Sequence, residues 1–178
     1  LVKELKGSIR LGKKVTKVSK AGGKYEVQTE GGEKIDADAV VVAAPAFATA
    51  GMFEELDPTI AEKLREMPYP SMGVICLGYP KYEVHHPMDG FGFMVTASEK
   101  KNILGCTWDT TMFPSRAPEG HVLMRVFVGG TRNPEIARLD DKELIRVVKK
   151  DMKDMMGVDA EPALVKIYRY EKAIPLYT

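Results

Sequence analysis

The 178-residue chain is poor in the features that usually betray a function. It has two cysteines, Cys76 and Cys106, both in apolar stretches, and three scattered histidines, His85, His86 and His121. Neither set has metal-ligand spacing, so no metal site is expected, and two buried free thiols are a better reading than a disulfide. A dominant charge is also missing. Twenty-six basic residues against 25 acidic ones leave a net +1, which gives no general drive toward nucleic acid or an anionic membrane. The longest uncharged run, Ala39 to Phe53, falls short of the ~20 residues of a spanning helix, and Pro45 and Gly51 interrupt it. Absent too are Gly-x-Gly-x-x-Gly, the phosphate-binding Gly-Lys-Ser/Thr and the Gly-x-Ser-x-Gly elbow. No standard catalytic set is left, and no catalytic residue is expected in this chain. Without a signal-peptide pattern, a reducing cytoplasmic setting is the default.

What is there is an ordinary globular composition, 44% apolar and 29% charged, long enough for one domain or one domain plus part of another. The chain has no initiator Met, Leu1 to Leu5 reads as the tail of a helix already under way, and Leu176-Tyr177-Thr178 ends without a polar tail. Both ends are expected to be cuts in a longer protein.

The patterning predicts an α+β fold. Ile9 and Leu11, Val15 to Val18, and Tyr25 to Val27 alternate apolar and polar, with Gly22-Gly23 and Gly31-Gly32 as turns, so a β-meander is expected over residues 8–44. Ala39-Val40-Val41-Val42-Ala43 breaks the alternation and predicts a strand buried on both faces. Pro45 ends it, and Ala46 to Phe53 reads as a short helix. Asp57-Pro58 caps a second helix with Ile60, Ala61, Leu64 and Met67 on its apolar face. Met72 to Tyr79, Phe91 to Val95, Ile103 to Trp108, Val122 to Val128 and Ala163 to Tyr170 predict a mixed, largely antiparallel sheet. The helix flanking it spans Asp141 to Met156, capped by Asp140 and Glu143 and stopped by Gly157. Its stripe of Leu144, Ile145, Val148, Met152 and Met155 reads as core, and Lys149, Lys150 and Lys153 as its solvated side. The acidic pairs Glu54-Glu55 and Asp140-Asp141 read as helix-end caps.

Residues two apart on a strand share a side. If the middle strands are neighbours, one face gathers Met94, Thr107 and Phe127, with Gly92 and Gly105 leaving a hollow for a flat apolar ligand. The plainer alternative is a face that packs on a helix. Arg125 shares that face, and inside an apolar strand it needs an anionic or hydrogen-bonding partner.

Gly90-Phe91-Gly92-Phe93-Met94-Val95, Ile103-Leu104-Gly105-Cys106-Thr107-Trp108-Asp109, Met112 to Gly120, Val128-Gly129-Gly130 and Tyr170 to Tyr177 together resemble the oxygen-dependent protoporphyrinogen oxidases. Those enzymes belong to the flavin-dependent amine oxidase superfamily, and the likeness is collinear from about residue 8 onward. It implies residues 1–50 as part of an FAD-binding domain, 51–170 as a substrate-binding domain, and 171–178 as a return toward the first. It implies FAD as cofactor, a porphyrinogen as substrate and oxygen as electron acceptor. Val15 falls where the backbone meets the adenine end of FAD, and Ala43, Ala44 and Pro45 where a strand end lines the cofactor cleft. Gly92, Met94, Thr107 and Phe127 fall on positions lining the tetrapyrrole cavity. Thr107 is a departure, since relatives often carry an aliphatic residue there. Arg125 as a partner of a substrate propionate comes from its place on this face and not from the resemblance, and it stands outside this set. Peripheral membrane contact and a homodimer in the parent stay open.

With no dinucleotide fingerprint in the chain, it is expected to purify colourless; stoichiometric flavin absorbance would contradict this. The rivals are a coproporphyrinogen oxidase forming coproporphyrin, another amine-oxidase-like flavoenzyme such as a desaturase, and a non-catalytic ligand-binding module.

Overall fold

A computed structural model describes residues 4–5 and 9–176. Of the helix tail expected at Leu1 to Leu5, the first three residues lie outside the described residues, while Glu4 and Leu5 sit in a turn. Tyr177 and Thr178 also lie outside. The chain divides into two compact units, Leu1–Pro68 and Tyr69–Thr178.

In the first unit, β1 (Val15–Ala21), β2 (Lys24–Thr29) and β3 (Lys34–Ala37) form the expected antiparallel meander. Ala21 pairs with Lys24, so Gly22 and Gly23 make a two-residue loop, and both have positive φ, as a hairpin matched to strand twist requires. Val18 opposes Val27, which opposes Ile35, and Val18 is buried on that row. Two expectations fail here. Ile9 and Leu11 form no strand, and Leu11 is exposed. Ala39 to Ala43 forms no strand either, with Val41 94% exposed. A strand exists only through its ladder, and no described strand lies alongside this run to supply one.

Helix α1 (Ala46–Met52) follows Pro45, whose carbonyl accepts from the Thr49 backbone N–H and hydroxyl. Helix α2 (Pro58–Glu66) starts as expected, Asp57 Oδ1 accepting from the Ile60 N–H at 3.0 Å. Its apolar face is only half used: Ala61 is buried, but Ile60 and Met67 are exposed. Glu54 and Glu55 are not caps, because they lie beyond α1 and pair with Arg65 and Lys17.

The second unit is a five-stranded antiparallel sheet with one helix across it. Its strands are β4 (Met72–Pro80), β5 (Gly92–Met94), β6 (Ile103–Trp108), β7 (His121–Gly129) and β8 (Leu164–Tyr170), in the order β5-β6-β7-β4-β8. A one-turn helix, α3 (Asp109–Met112), follows β6, and α4 (Asp141–Met156) precedes β8. Asp140 accepts from the Glu143 N–H at 3.0 Å, and Gly157 closes α4 in the left-handed region. The helix buries Leu144, Val148 and Met152 in a core with Ile75, Leu77, Met124, Val126 and Val128, all close to 0% exposed. Each such side chain is worth about 1.5–3 kcal/mol. Lys149, Lys150 and Lys153 lie on the outer side and pair with Glu161, Asp154 and Asp159. Cys76 and Cys106 are both free. Cys106 pairs with core-facing Val126 and Cys76 with Arg125, so the two thiols face opposite sides of the sheet.

Candidate functional site

The face of the five-stranded sheet away from the core is where the expected substrate residues gather. Directly paired residues of antiparallel strands share a face. Met94 opposes Gly105, Gly105 opposes Phe127, Phe127 opposes Val74 and Val74 opposes Tyr168. The adjacent row runs Gly92, Thr107, Arg125, Cys76 and Lys166. Gly92, Met94, Thr107 and Phe127 therefore belong to one surface, spread over three strands about 4.8 Å apart. Among the described residues of this unit no helix packs across it: burial alternates along β4 and β7, and Met72, Val74, Cys76, Leu123, Arg125 and Phe127 stay partly open. Met94, on the edge strand, is 83% exposed.

Three details differ from expectation. Ile103 was expected beside Gly105 and Thr107, but a register shift between Ile103 and Gly105 turns it into the core opposite Val128. The glycines do not leave an empty hollow either. A Cβ on Gly92 would lie 2.1 Å from the Cys106 carbonyl oxygen, and one on Gly105 would lie 2.5 Å from the Phe93 carbonyl oxygen and 3.2 Å from Met94 Sδ. Their absent side chains let β5 lie tight on β6, and Met94 takes the space over Gly105. The open hollow sits instead beside Phe127, where Met72, Val74, Tyr170, Ala173 and Ile174 complete about 230 Å³. Sequence reading missed these five. Strand β4 is apolar throughout, so its two faces are indistinguishable until neighbours bury one of them. On β8 the signal was present, in the alternation of Tyr168 and Tyr170 with Val165 and Ile167.

Arg125 has an anionic partner within the fold. Its Nε lies 2.6 Å from Asp109 Oδ2, an ion-pair contact whose N–H is not aligned for a hydrogen bond. Asp109 is 5% exposed, and its other oxygen accepts from the Thr107 hydroxyl at 3.0 Å. Burial first and the Asp109 charge second push the Cys106 thiol up to about 12. Burial also pushes the Cys76 thiol up, with Arg125 opposing. Both sulfurs stay protonated near neutrality, which removes them as nucleophiles. Among the described residues no cluster of His, Cys, Asp or Glu could hold a metal, and no helix is long and apolar enough to cross a membrane.

In the first unit, Val15, Ala43 and Ala44 line one apolar hollow of about 290 Å³ with Val18, Val40 and Val42. Pro45 is not in that lining; it caps α1. The volume lies just below the ~300–1,000 Å³ range of small-molecule sites. The lining is made of valine, alanine and methionine side chains and offers no charged group to a pyrophosphate. Another cavity in the second unit, about 690 Å³, involves Lys81, His86, Glu119 and His121 and contains none of the expected site residues.

Comparison with known proteins gives this geometry a context. The family profile described as flavin containing amine oxidoreductase matches residues 1–178. Coproporphyrinogen III oxidase of Bacillus subtilis (strain 168) is 35% identical over 99% of the chain and 38% of its own length. The mitochondrial protoporphyrinogen oxidase of Nicotiana tabacum is 33% identical over 79% of the chain and 29% of its own length. A crystal structure from Exiguobacterium sp. 255-15, named provisionally as a protoporphyrinogen oxidase, superposes with a TM-score of 0.74 at 25% identity, over 96% of this chain and 36% of that one. A redesigned putrescine oxidase shares the fold, with a TM-score of 0.73 at 13% identity, over 93% of this chain and 36% of its own. The chain thus spans about a third of the length of the relatives it matches.

Proposed function

Because the chain belongs to the flavin-containing amine oxidoreductase family, we propose that it forms the substrate-binding half, with part of the FAD-binding domain, of an enzyme oxidising protoporphyrinogen IX to protoporphyrin IX with oxygen. In this reading, residues 1–50 belong to the FAD domain, 51–170 to the substrate domain and 171–178 to the return. The observation that carries it is the open sheet face, where four separately argued residues meet beside an apolar, aromatic hollow. An antiparallel sheet covered on one side only is suited to be one wall of a larger site.

FAD, when bound, would supply the two-electron acceptor for the oxidation, with oxygen as the final electron acceptor. Val15, Ala43 and Ala44 are the residues of this chain proposed to meet its adenine end, with Pro45 at the neighbouring strand end. This chain's own part in the reaction is positioning. Phe127, with Met72 and Val74 beside it, takes the apolar body of the macrocycle. Met94 covers the edge, and Gly92 and Gly105 keep that edge thin. Each hydride removed is matched by one proton lost from the macrocycle, and the two thiols, held protonated, are not the bases that take it.

Phe127→Ala in the full-length enzyme should raise KM for the porphyrinogen roughly tenfold or more, because an aromatic wall of this kind contributes a few kcal/mol when buried by ligand. An unchanged KM in steady-state oxygen consumption removes Phe127 from the pocket. A second reading, a coproporphyrinogen III oxidase forming coproporphyrin, draws on the likeness to the Bacillus subtilis enzyme along 99% of the chain. Parallel assays with both porphyrinogens separate the two.

A further inference from the structure

The open face is not uniformly apolar. One row carries Met94, Phe127, Val74 and Tyr168; the next carries Thr107, Arg125, Cys76 and Lys166. The rows are about 7 Å apart, two residues along each strand. Neither Arg125 nor Lys166 donates a hydrogen bond within the described residues, and the Arg125 side chain is 38% exposed. Asp109, against which Arg125 rests, is buried and held from its other side by Thr107.

Desolvating that carboxylate costs several kcal/mol, and a buried ion pair is seldom better for stability than apolar packing. Its local effect is directional. With one edge of the guanidinium against a fixed anion, both Nη groups are left without an acceptor. A planar fork with two free donors matches a carboxylate. A cationic row one step from an aromatic row fits a flat amphiphile whose rings lie on Phe127 and whose acidic arms reach sideways.

We propose that Arg125 is the carboxylate anchor of this face, binding a propionate arm of the substrate. Asp109 and Thr107 are positioning residues that aim it, and Lys166 is the second cation of the same row. The inference rests on the porphyrinogen reading above and deepens it. It also gives the Thr at position 107 a purpose: its hydroxyl secures Asp109, which an aliphatic residue would not do.

The test uses the full-length enzyme and two probes, coproporphyrin III and its tetramethyl ester, with binding read by fluorescence quenching and porphyrinogen turnover measured beside it. The wild type is expected to bind the free acid roughly ten- to a hundredfold more tightly than the ester, the range for a charge-assisted hydrogen bond. Arg125→Met should remove most of that preference, with the kinetic loss falling on KM rather than on kcat, and Arg125→Lys should restore part of it. Thr107→Val should weaken the preference by about threefold, a neutral-bond increment. Since Arg125→Met strands a buried carboxylate, the pair Asp109→Asn/Arg125→Met serves as the variant expected to fold, and it too should lose the preference. If wild type turns over porphyrinogen and the variants keep their full preference for the acid, Arg125 is not the anchor and the porphyrinogen reading stands. If wild type neither turns over porphyrinogen nor binds porphyrin, that reading and this inference fall together.

Discussion

Gly92→Ala is expected to cost about 3–5 kcal/mol of stability, through strained backbone and a steric clash acting together. The residue has φ 139°, a conformation that L side chains rarely adopt, and an added Cβ would sit 2.1 Å from the Cys106 carbonyl oxygen and 2.8 Å from Thr107 Cα. Those atoms are backbone of the paired strand, so no rotamer change relieves the contact. Against a typical total of about 5–15 kcal/mol, such a loss leaves the sheet edge marginal. Denaturant unfolding of wild type and variant measures it, and a shift below about 1 kcal/mol would show that β5 and β6 are not held this closely.

Asp151→Ala should be nearly as damaging, for the opposite chemical reason. Asp151 lies on the inner side of α4, 1% exposed, and its Oδ2 accepts from the Asn102 N–H at 2.6 Å and the Ile103 N–H at 3.2 Å. It ties the helix to the first residues of β6 at the register shift. Alanine leaves one buried and one part-buried donor unpaired, at a cost of about 2–4 kcal/mol. For a chain of this size that lowers Tm by roughly 5–15 °C. Asp151→Asn keeps one oxygen acceptor and should lose about half as much. A calorimetric Tm for Asp151→Ala within 2 °C of wild type, a shift of at most ~1 kcal/mol, would mean that water replaces the carboxylate at little cost.

Asp151 also marks the limit of what pattern reading could see. The apolar stripe of α4 was legible because Leu144, Val148 and Met152 recur at helical steps, and its ends were legible because Asp140 and Gly157 are strong local signals. Asp151 lies three residues after Val148 and so shares that stripe, yet an acid there reads as surface until the strand whose amides it caps is in view. Strand alternation likewise put Met94, Thr107 and Phe127 on one side and missed Ile103, because a one-residue irregularity flips a side chain without any mark in composition. Arg125 was legible as a residue in need of a partner. Asp109, sitting just past a strand end, offered nothing to name it as that partner before the fold brought them together. The valine run was misjudged for a related reason: its composition says that it suits burial, and nothing local says what would bury it.

That run now has a practical consequence. Ala39 to Ala43 is five uncharged residues outside any strand, its backbone unmatched by any described strand and Val41 standing almost wholly in water. An exposed β-branched run with an unpaired backbone is a template for pairing with another chain, including another copy of itself. Handled alone, the polypeptide would have its shelf life set by these few positions rather than by the balanced charges over the rest of its surface.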